Sequence, residues 1–397
     1  MTSRVANLLW VAACLSTGQA CAQDLDASQS RKASVRYVVT VLRSLGGTSS
    51  LGASINDLGW VAGRSRVAAN DSIHATLWRD GALTDLGTLG GPNSAVLWPV
   101  KNLRGVLTGI SQTAEPDPSG ETWSCGFFFP PGKPTGYRCA GFRWHDGVMT
   151  PLTTLGGTHG FATGTNNRLR TVGWAENNVA DPTCVLPQIL QFRAVVWGPD
   201  GQVERELPPV ADDSTSAATA INDRGQVVGI SGRCDQSVGR YSAIHMVLWE
   251  NGVPAVIPAL GGVAWNTPMA INQRGEVVGF ANASAADADN FNPRAFYWRK
   301  GQGTRPLAAL PDHVTTQATG INERGQIVGQ SCDAAGNCKG VLWQRCQVVD
   351  LNALIEPGGT LLLRSANDID DLGRITGQAL DSSTGQFVAF LATPVHQ

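Results

Sequence analysis

Ala220-Ile221-Asn222-Asp223-Arg224-Gly225-Gln226-Val227-Val228-Gly229-Ile230-Ser231 is written several times over in this chain. It returns as Ile271-Asn272-Gln273-Arg274-Gly275-Glu276-Val277-Val278-Gly279, as Ile321-Asn322-Glu323-Arg324-Gly325-Gln326-Ile327-Val328-Gly329, and earlier as Ile55-Asn56-Asp57-Leu58-Gly59-Trp60-Val61-Ala62-Gly63. Worn copies stand at Val100-Lys101-Asn102, Thr165-Asn166-Asn167 and Ile369-Asp370-Asp371-Leu372-Gly373. In each, an apolar residue leads into Asn-x-x-Gly, the composition of a tight turn. The Asn side chain can bond the backbone two residues on, and Gly accepts a positive φ. Val-Val-Gly then reads as a strand that is apolar on both faces, buried between packed sheets.

A second piece follows each Val-Val-Gly after a variable gap: Leu77-Trp78-Arg79-Asp80-Gly81, Arg143-Trp144-His145-Asp146-Gly147 and Leu248-Trp249-Glu250-Asn251-Gly252, with Trp197, Trp298 and Trp343 in the same place elsewhere. Asp-Gly or Asn-Gly between apolar runs signals a hairpin. One unit is therefore four strands: a into the Asn, b as Val-Val-Gly, c ending in Trp, and d after the Asp-Gly. The turn positions Asn56, Asn102, Asn166, Asn222, Asn272, Asn322 and Asp370 are about fifty residues apart, the period of β-propeller blades. The expected fold is all-β, a seven-bladed β-propeller of four-stranded antiparallel blades. Residues Tyr37–Leu42 look like a spare d strand, and the last unit ends on a c-like strand at Phe387–Leu391. Pairing the two would close the ring and remove exposed sheet edges.

The Ile-Asn-x-x-Gly-x-Val-Val-Gly, Leu-Trp-x-Asp-Gly and Asp85-Leu-Gly-Thr-Leu-Gly-Gly91 pieces together resemble the HAF-type bacterial extracellular repeat family across nearly the whole mature chain. The name-giving His-Ala-Phe is met only by His74-Ala75-Thr76. The resemblance implies secretion and a propeller-like repeat fold, and no established reaction.

Composition sets the remaining bounds. Hydrophobic residues make up 42%, charged residues only 16%, and there are 46 Gly, which fits a folded, turn-rich β protein. The net charge of −2 gives nucleic acid no footing as a partner. Arg4, the apolar run Val5–Leu15 and Ala20-Cys21-Ala22 read as an export signal over residues 1–22. Lipidation at Cys21 is the alternative, with Gly18-Gln19-Ala20 a poor match to the usual box. A polar, disordered leader over 23–36 and a repeat domain over 37–393 follow. The chain is expected to be secreted, extracellular or periplasmic, as a monomer. No apolar run reaches the ~20 residues of a membrane-spanning helix. Cys125 with Cys139, Cys332 with Cys338, and Cys184 with Cys234 suit disulfides after export, leaving Cys346 over.

Antiparallel order puts the a–b and c–d turns on one rim and the b–c loops and d–a crossovers on the other. The b–c gaps vary most: Ser65 to His74, Ser111 to Gly141, Ala175 to Arg193. Function is expected on that long-loop face. The longest insert carries Trp123, Phe127, Phe128, Phe129 and Tyr137; Trp98, His159, Phe161 and Trp265 are placed in crossovers on the same side. From these, Trp98, Trp123, Phe128, Tyr137, His159 and Trp265 form the candidate binding set, able to stack on sugars or grip a protein. Taken singly, each such aromatic is more simply explained by packing under its own loop. Turn chemistry accounts for the Asn series, and Arg224, Arg274 and Arg324 beside Asp223 and Glu323 read as a mixed solvated rim. Asp287-Ala288-Asp289-Asn290-Phe291-Asn292 resembles the start of a calcium loop but lacks its Gly and Glu. No catalytic motif, metal-ligand spacing or cofactor fingerprint is present. The favoured function is a non-catalytic scaffold binding a protein or polysaccharide. A polysaccharide-active enzyme, using channel carboxylates or His159, and a structural surface protein remain as alternatives.

Overall fold

A computed structural model describes residues 35–121, 125–129, 136–210, 212–235, 239–345 and 347–395. The export signal, most of the leader, Trp123, Cys346 and His396 lie outside the described residues.

The described chain is all-β and propeller-like. Five separate sheets have four antiparallel strands each, and an eight-stranded sheet joins two further runs of four. The fourth unit shows the pattern: Thr215–Ile221 (a), Val227–Gly232 (b), His245–Glu250 (c) and Val253–Ile257 (d), paired in that order. The eight-stranded sheet contains the first unit, Gly46–Ile55 through Ala82–Asp85, and the last, Leu361–Ile369 through Gln386–Val395. A single parallel bridge, Ser49 to Phe387, links them. The N-terminal strand Arg36–Leu42 lies antiparallel on Gln386–Val395, with Thr40 opposite Leu391. The spare d strand therefore sits where the last unit lacks one. The first strand starts one residue before the limit read from sequence, and the last starts one residue earlier and ends four later.

Strand a departs from expectation. It starts at the Gly-Gly pair itself (Gly46–Ile55, Gly156–Thr165) rather than after a crossover. The first Gly of each pair has a positive φ, 99° at Gly46 and 104° at Gly156. Further along, strand a bulges, as between Ala218 and Ala220. The bulge presses a carbonyl against strand b, and the glycine of Val-Val-Gly makes room for it: a Cβ on Gly229 would collide with the Ala217 carbonyl oxygen. Gly in a strand here marks close backbone approach.

The Asn turns bond both within and between units. Asn222 Oδ1 accepts the N–H groups of Arg224 and Gln226, each at 3.1 Å, and Gly225 takes a φ of 80°. Asn222 Nδ2 then donates to the carbonyl of Asn272 at 3.1 Å. The same donation joins Asn56 to Asn102, Asn166 to Asn222, Asn272 to Asn322 and Asn322 to Asp370. Asp370 has no donor, and Arg374 supplies one: its guanidinium bonds the Asp370 carboxylate and donates through Nη2 to the Asp57 carbonyl at 2.8 Å. A parallel series runs through the next residue, where Asp223 N–H donates to Gln273, Gln273 to Glu323, Glu323 to Asp371 and Asp371 to Asp57. Asp223 and Glu323 are thus half-buried acceptors, not members of a solvated rim. The flanking Arg224, Arg274 and Arg324 are exposed.

The strand-c tryptophans pack between sheets and also pin the crossover entering their own unit. The indole N–H donates to a crossover carbonyl in Trp78 to Arg43, Trp197 to Thr153, Trp249 to Pro208 and Trp343 to Ala308, at 2.7–2.8 Å. All three expected disulfides form, Cys125–Cys139, Cys184–Cys234 and Cys332–Cys338. No helix among the described residues is long and apolar enough to cross a membrane.

Asn222→Ala removes two acceptances and two donations, to the Gln226 side chain and the Asn272 carbonyl, in a buried site, with an expected loss of about 2–4 kcal/mol at a cost of ~1–3 kcal/mol per orphaned partner. Asn222→Asp keeps the acceptances and is expected to lose less. Denaturant unfolding of both variants measures the split; an Asn222→Asp variant as stable as the parent would mean that the inter-unit donation contributes nothing. Gly229→Ala is expected to lower the thermal midpoint sharply, because backbone and not a mobile side chain occupies the space. An unchanged midpoint there would contradict the close approach.

Candidate functional site

On the long-loop side, two aromatic groups face one another across a cavity. The first is built from the second and third units. Trp98 follows strand a of the second unit, and its ring meets Phe128, Phe161 and Trp174 edge-on at 5.8, 5.3 and 6.1 Å. Phe161 and Trp174 lie 4.6 Å apart. The Cys125–Phe128 turn of helix presents Phe128, and Arg64 Nη1 fixes that turn by donating to the Phe128 carbonyl at 3.2 Å. Phe129 and Cys125 are buried beneath it.

The second group belongs to the fifth unit, where Trp265 and Phe280 each pack against Phe291, at 5.1 and 5.6 Å. Trp265 sits in the crossover with a φ of 62°, a left-handed conformation that costs a bulky residue on the order of 1–3 kcal/mol. Its backbone N–H bonds the Arg240 carbonyl. Gly239 lies so close that a Cβ would stand 2.8 Å from the indole, so only glycine lets this loop rest on the ring. Between the groups, Ile230, Thr267 and Met269 complete a cavity of about 390 Å³ whose walls are almost wholly apolar. At its edge Phe127 is 62% and Phe291 47% exposed.

Of the six candidate binding residues, the fold brings Trp98, Phe128 and Trp265 together around this cavity. Tyr137 is exposed at the start of a c strand and stands apart from it. His159 is a correction. It lies inside strand a of the third unit (Gly156–Thr165), not in a crossover, and is fully buried. Strand a starts early, and the second unit's insert covers its first residues. Phe161 moves into strand a for the same reason and serves as packing behind Trp98. Periodicity also left Trp174, Met269 and Phe280 unmarked, since they read as ordinary strand residues.

His159 belongs to a buried polar cluster with Asp117, Glu121, Glu176 and Gln188. One ligand-type atom each of Asp117, Glu121 and His159 lies within 4.8 Å of the other two, the one such grouping found among the described residues. Cys139 N–H donates to His159 Nδ1 at 3.0 Å, so the neutral ring carries its proton on Nε2, 3.5 Å from Asp117 Oδ2. Burial opposes a charged ring, and the Asp117 bond with the charges of Glu176, Asp117 and Glu121 outweighs it and raises the pKa; a second ring proton would nonetheless displace the Cys139 N–H. Burial also works to raise Asp117, but His159 and the Ser119 N–H hold its carboxyl below the usual range. Glu176 accepts the N–H groups of Thr158 and His159, and burial, reinforced by Glu121, pushes it up to about 7. Glu121 Oε1 accepts from Ile189 N, Leu190 N and Gln188 Nε2 at 2.6, 2.7 and 3.3 Å.

The side that carries the Asn turns is polar. Lys101 Nζ lies 2.6 Å from both Asp368 Oδ1 and the Ile369 carbonyl, and Ile55 N–H donates to Asp368 Oδ2. Its other carboxylates, Asp57, Asp223, Glu323 and Asp371, are engaged in the inter-unit bonds. The calcium-like stretch folds differently from a calcium loop. Asn282 Nδ2 takes the carbonyls of Asp287 and Asn290, and the Asp289 carboxylate bonds Arg240 and Tyr241.

Residues 193–388, just under half of the 397, match the model of a family described as a protein of unknown function, DUF3466. No curated protein matches the chain. Among solved structures, the acylaminoacyl peptidase of Pyrococcus horikoshii is similar at a TM-score of 0.50 and 9% identity, over 85% of this chain and 51% of that one. A puromycin-hydrolyzing peptidase of Mycobacterium tuberculosis gives 0.44 and 12%, over 90% and 56%. An inactive variant of virginiamycin B lyase from Staphylococcus aureus gives 0.49 and 11%, over 89% and 99%. This chain spans about half the length of the two peptidases. At such identities the likeness is one of fold.

Burial raises the Asp368 carboxyl from 3.8 to about 6, with Lys101 partly offsetting it. Because the folded value lies above the unfolded one, its stabilising share is complete below pH 3.8 and is lost as pH rises through about 6. Asp368→Asn lacks that loss. Its midpoint relative to the parent is therefore expected to improve between pH 4 and pH 7.5, as thermal unfolding across that range measures; a constant difference would contradict the shift.

Proposed function

We propose that this chain is a secreted, non-catalytic scaffold that takes up an apolar, ring-sized side chain of a partner polypeptide in its aromatic cavity. The observation that carries this is the cavity's apolar lining between the Trp98–Phe128 and Trp265–Phe291 walls. Its volume of about 390 Å³ falls at the small end of ligand sites. A saccharide would bring hydroxyls that the walls cannot satisfy, at about 1–3 kcal/mol for each one buried. Of the two ligand classes open from sequence, protein is therefore preferred. A purely structural surface protein would need neither a cavity here nor a tryptophan held at positive φ beside it. No titratable group lines the cavity, and the His159 cluster is closed to substrate, so the enzymatic alternative has less support.

In this reading the units form a closed seven-bladed wheel, supported by the Arg36–Leu42 pairing and by the bonds from Asp371 and Arg374 back to Asp57. Membership of the HAF-type repeat family is part of the same proposal, resting on the repeated motifs. Export is supported by the Arg4 to Ala22 pattern and by three disulfides.

The test is selection of displayed peptides on the chain from residue 23 onward, followed by binding measurements on Trp265→Ala and the cavity-filling Met269→Trp. Selected peptides are expected to carry aromatic or large aliphatic residues, and both variants to lose at least about tenfold in affinity, the equivalent of 1.4 kcal/mol. Peptides that bind Met269→Trp as well as the parent would sink the proposal. So would oligosaccharides whose binding depends on Trp265.

A further inference from the structure

The buried cluster behind the aromatic wall has more acceptors than donors. Glu121 is 2% exposed, and its Oε1 holds three donors while Oε2 has none. Gln188 is 1% exposed; its Nε2 bonds Glu121, Glu176 and the Leu190 carbonyl, which leaves Oε1 without a partner. Asp117 Oδ1 takes the Ser119 N–H, and Oδ2 makes no hydrogen bond, its nearest donor being His159 Nε2 at 3.5 Å. Three carboxylates and an unpartnered amide oxygen thus share one buried cluster, with His159 its one basic side chain and no ion pair to a described Lys or Arg. Buried charge of one sign calls for a compensating ion.

We infer that Asp117 and Glu121, with the Gln188 amide oxygen, hold one hard divalent cation of the calcium class, tying the second unit's insert to the third unit. The donor chemistry selects the class. His159 Nδ1 already accepts the Cys139 N–H, so coordination through Nε2 would require an imidazolate. His159 instead turns Nε2 toward Asp117 Oδ2, 3.5 Å away, in the position of an outer partner of a ligating carboxylate. The remaining ligand set is oxygen, which suits calcium and not zinc. The Asp117 and Glu121 ligand atoms lie within 4.8 Å of one another, which leaves room for an ion about 2.3–2.6 Å from each oxygen, and the Gln188 amide reaches the same Glu121 carboxylate. Asp117 and Glu121 come from the insert and Gln188 from the third unit's b–c loop. The ion would therefore hold the segment that carries Phe128.

The experiment uses the chain from residue 23 onward, with metal content measured on the untreated protein. Thermal unfolding is then followed after chelation and after adding calcium, manganese or zinc. Close to one calcium per chain is expected, with a midpoint that rises by several degrees on calcium addition and falls on chelation. Glu121→Gln, an isosteric change, is expected to abolish the calcium response. If the cluster merely shares protons, no ion will shift the midpoint and Glu121→Gln will match or exceed the parent at pH 7.5, which overturns the inference. A larger response to zinc than to calcium also overturns it, by making His159 a ligand. Should Glu121→Gln fail to fold, Asp117→Asn with the parent's metal content decides the same question.

Discussion

The bond from one Asn turn to the next is the constraint on which this architecture rests. Each unit is a sheet of four strands, which buries its faces only against its neighbours. What joins neighbouring units at the rim that carries the turns is the donation from Asn Nδ2 to a carbonyl of the following unit, made by Asn56, Asn102, Asn166, Asn222, Asn272 and Asn322. One side chain does two tasks: its oxygen shapes its own turn and its nitrogen reaches the next. At Asp370 the amide is lost and Arg374 restores the donation, reaching the Asp57 carbonyl from the last turn. The substitution keeps the bond and changes the chemistry that makes it.

Close approach at that rim dictates the rest of the motif. Strand a must bulge to bring its carbonyls inward, and the glycine of Val-Val-Gly is the residue of strand b that tolerates the intrusion. The strand-c tryptophan then holds the crossover that delivers strand a of its own unit, through the same indole-to-carbonyl bond in four units. With turns, bulge and crossover held, the b–c loops are free to differ. Those loops bring Phe128 and Phe291 to the aromatic cavity, and Asp117, Glu121 and Gln188 to the cluster.

The two features are mechanically joined. The insert between Pro116 and Tyr137 is anchored by the Cys125–Cys139 disulfide, by Arg64 on the Phe128 carbonyl, and by Glu121 accepting the N–H groups of Ile189 and Leu190. Phe128 therefore takes its place against Trp98 from bonds made in three different units. A short polar loop in its place would leave Trp98, Phe161 and Trp174 facing solvent.

Repetition made the strands, turns and cysteine pairs legible in the sequence, because each is a local pattern: Asn-x-x-Gly for the turn, alternating apolar runs for the strands, Asp-Gly for the hairpin. The Trp98, Phe128 and Trp265 positions could be marked as a set because they fall in variable stretches on one side. The sequence could not say that His159 and Phe161 lie inside strand a, since that depends on a strand starting at Gly-Gly against a bulged partner. Nor could it show the second task of the Asn amide, which needs a neighbour about fifty residues away. The convergence of Asp117, Glu121 and Gln188, spread over seventy-two positions of chain, is likewise a property of the fold. Local hydrogen bonding and hydrophobic period are written in neighbouring residues; which distant side chains share one buried volume is decided only when the units pack.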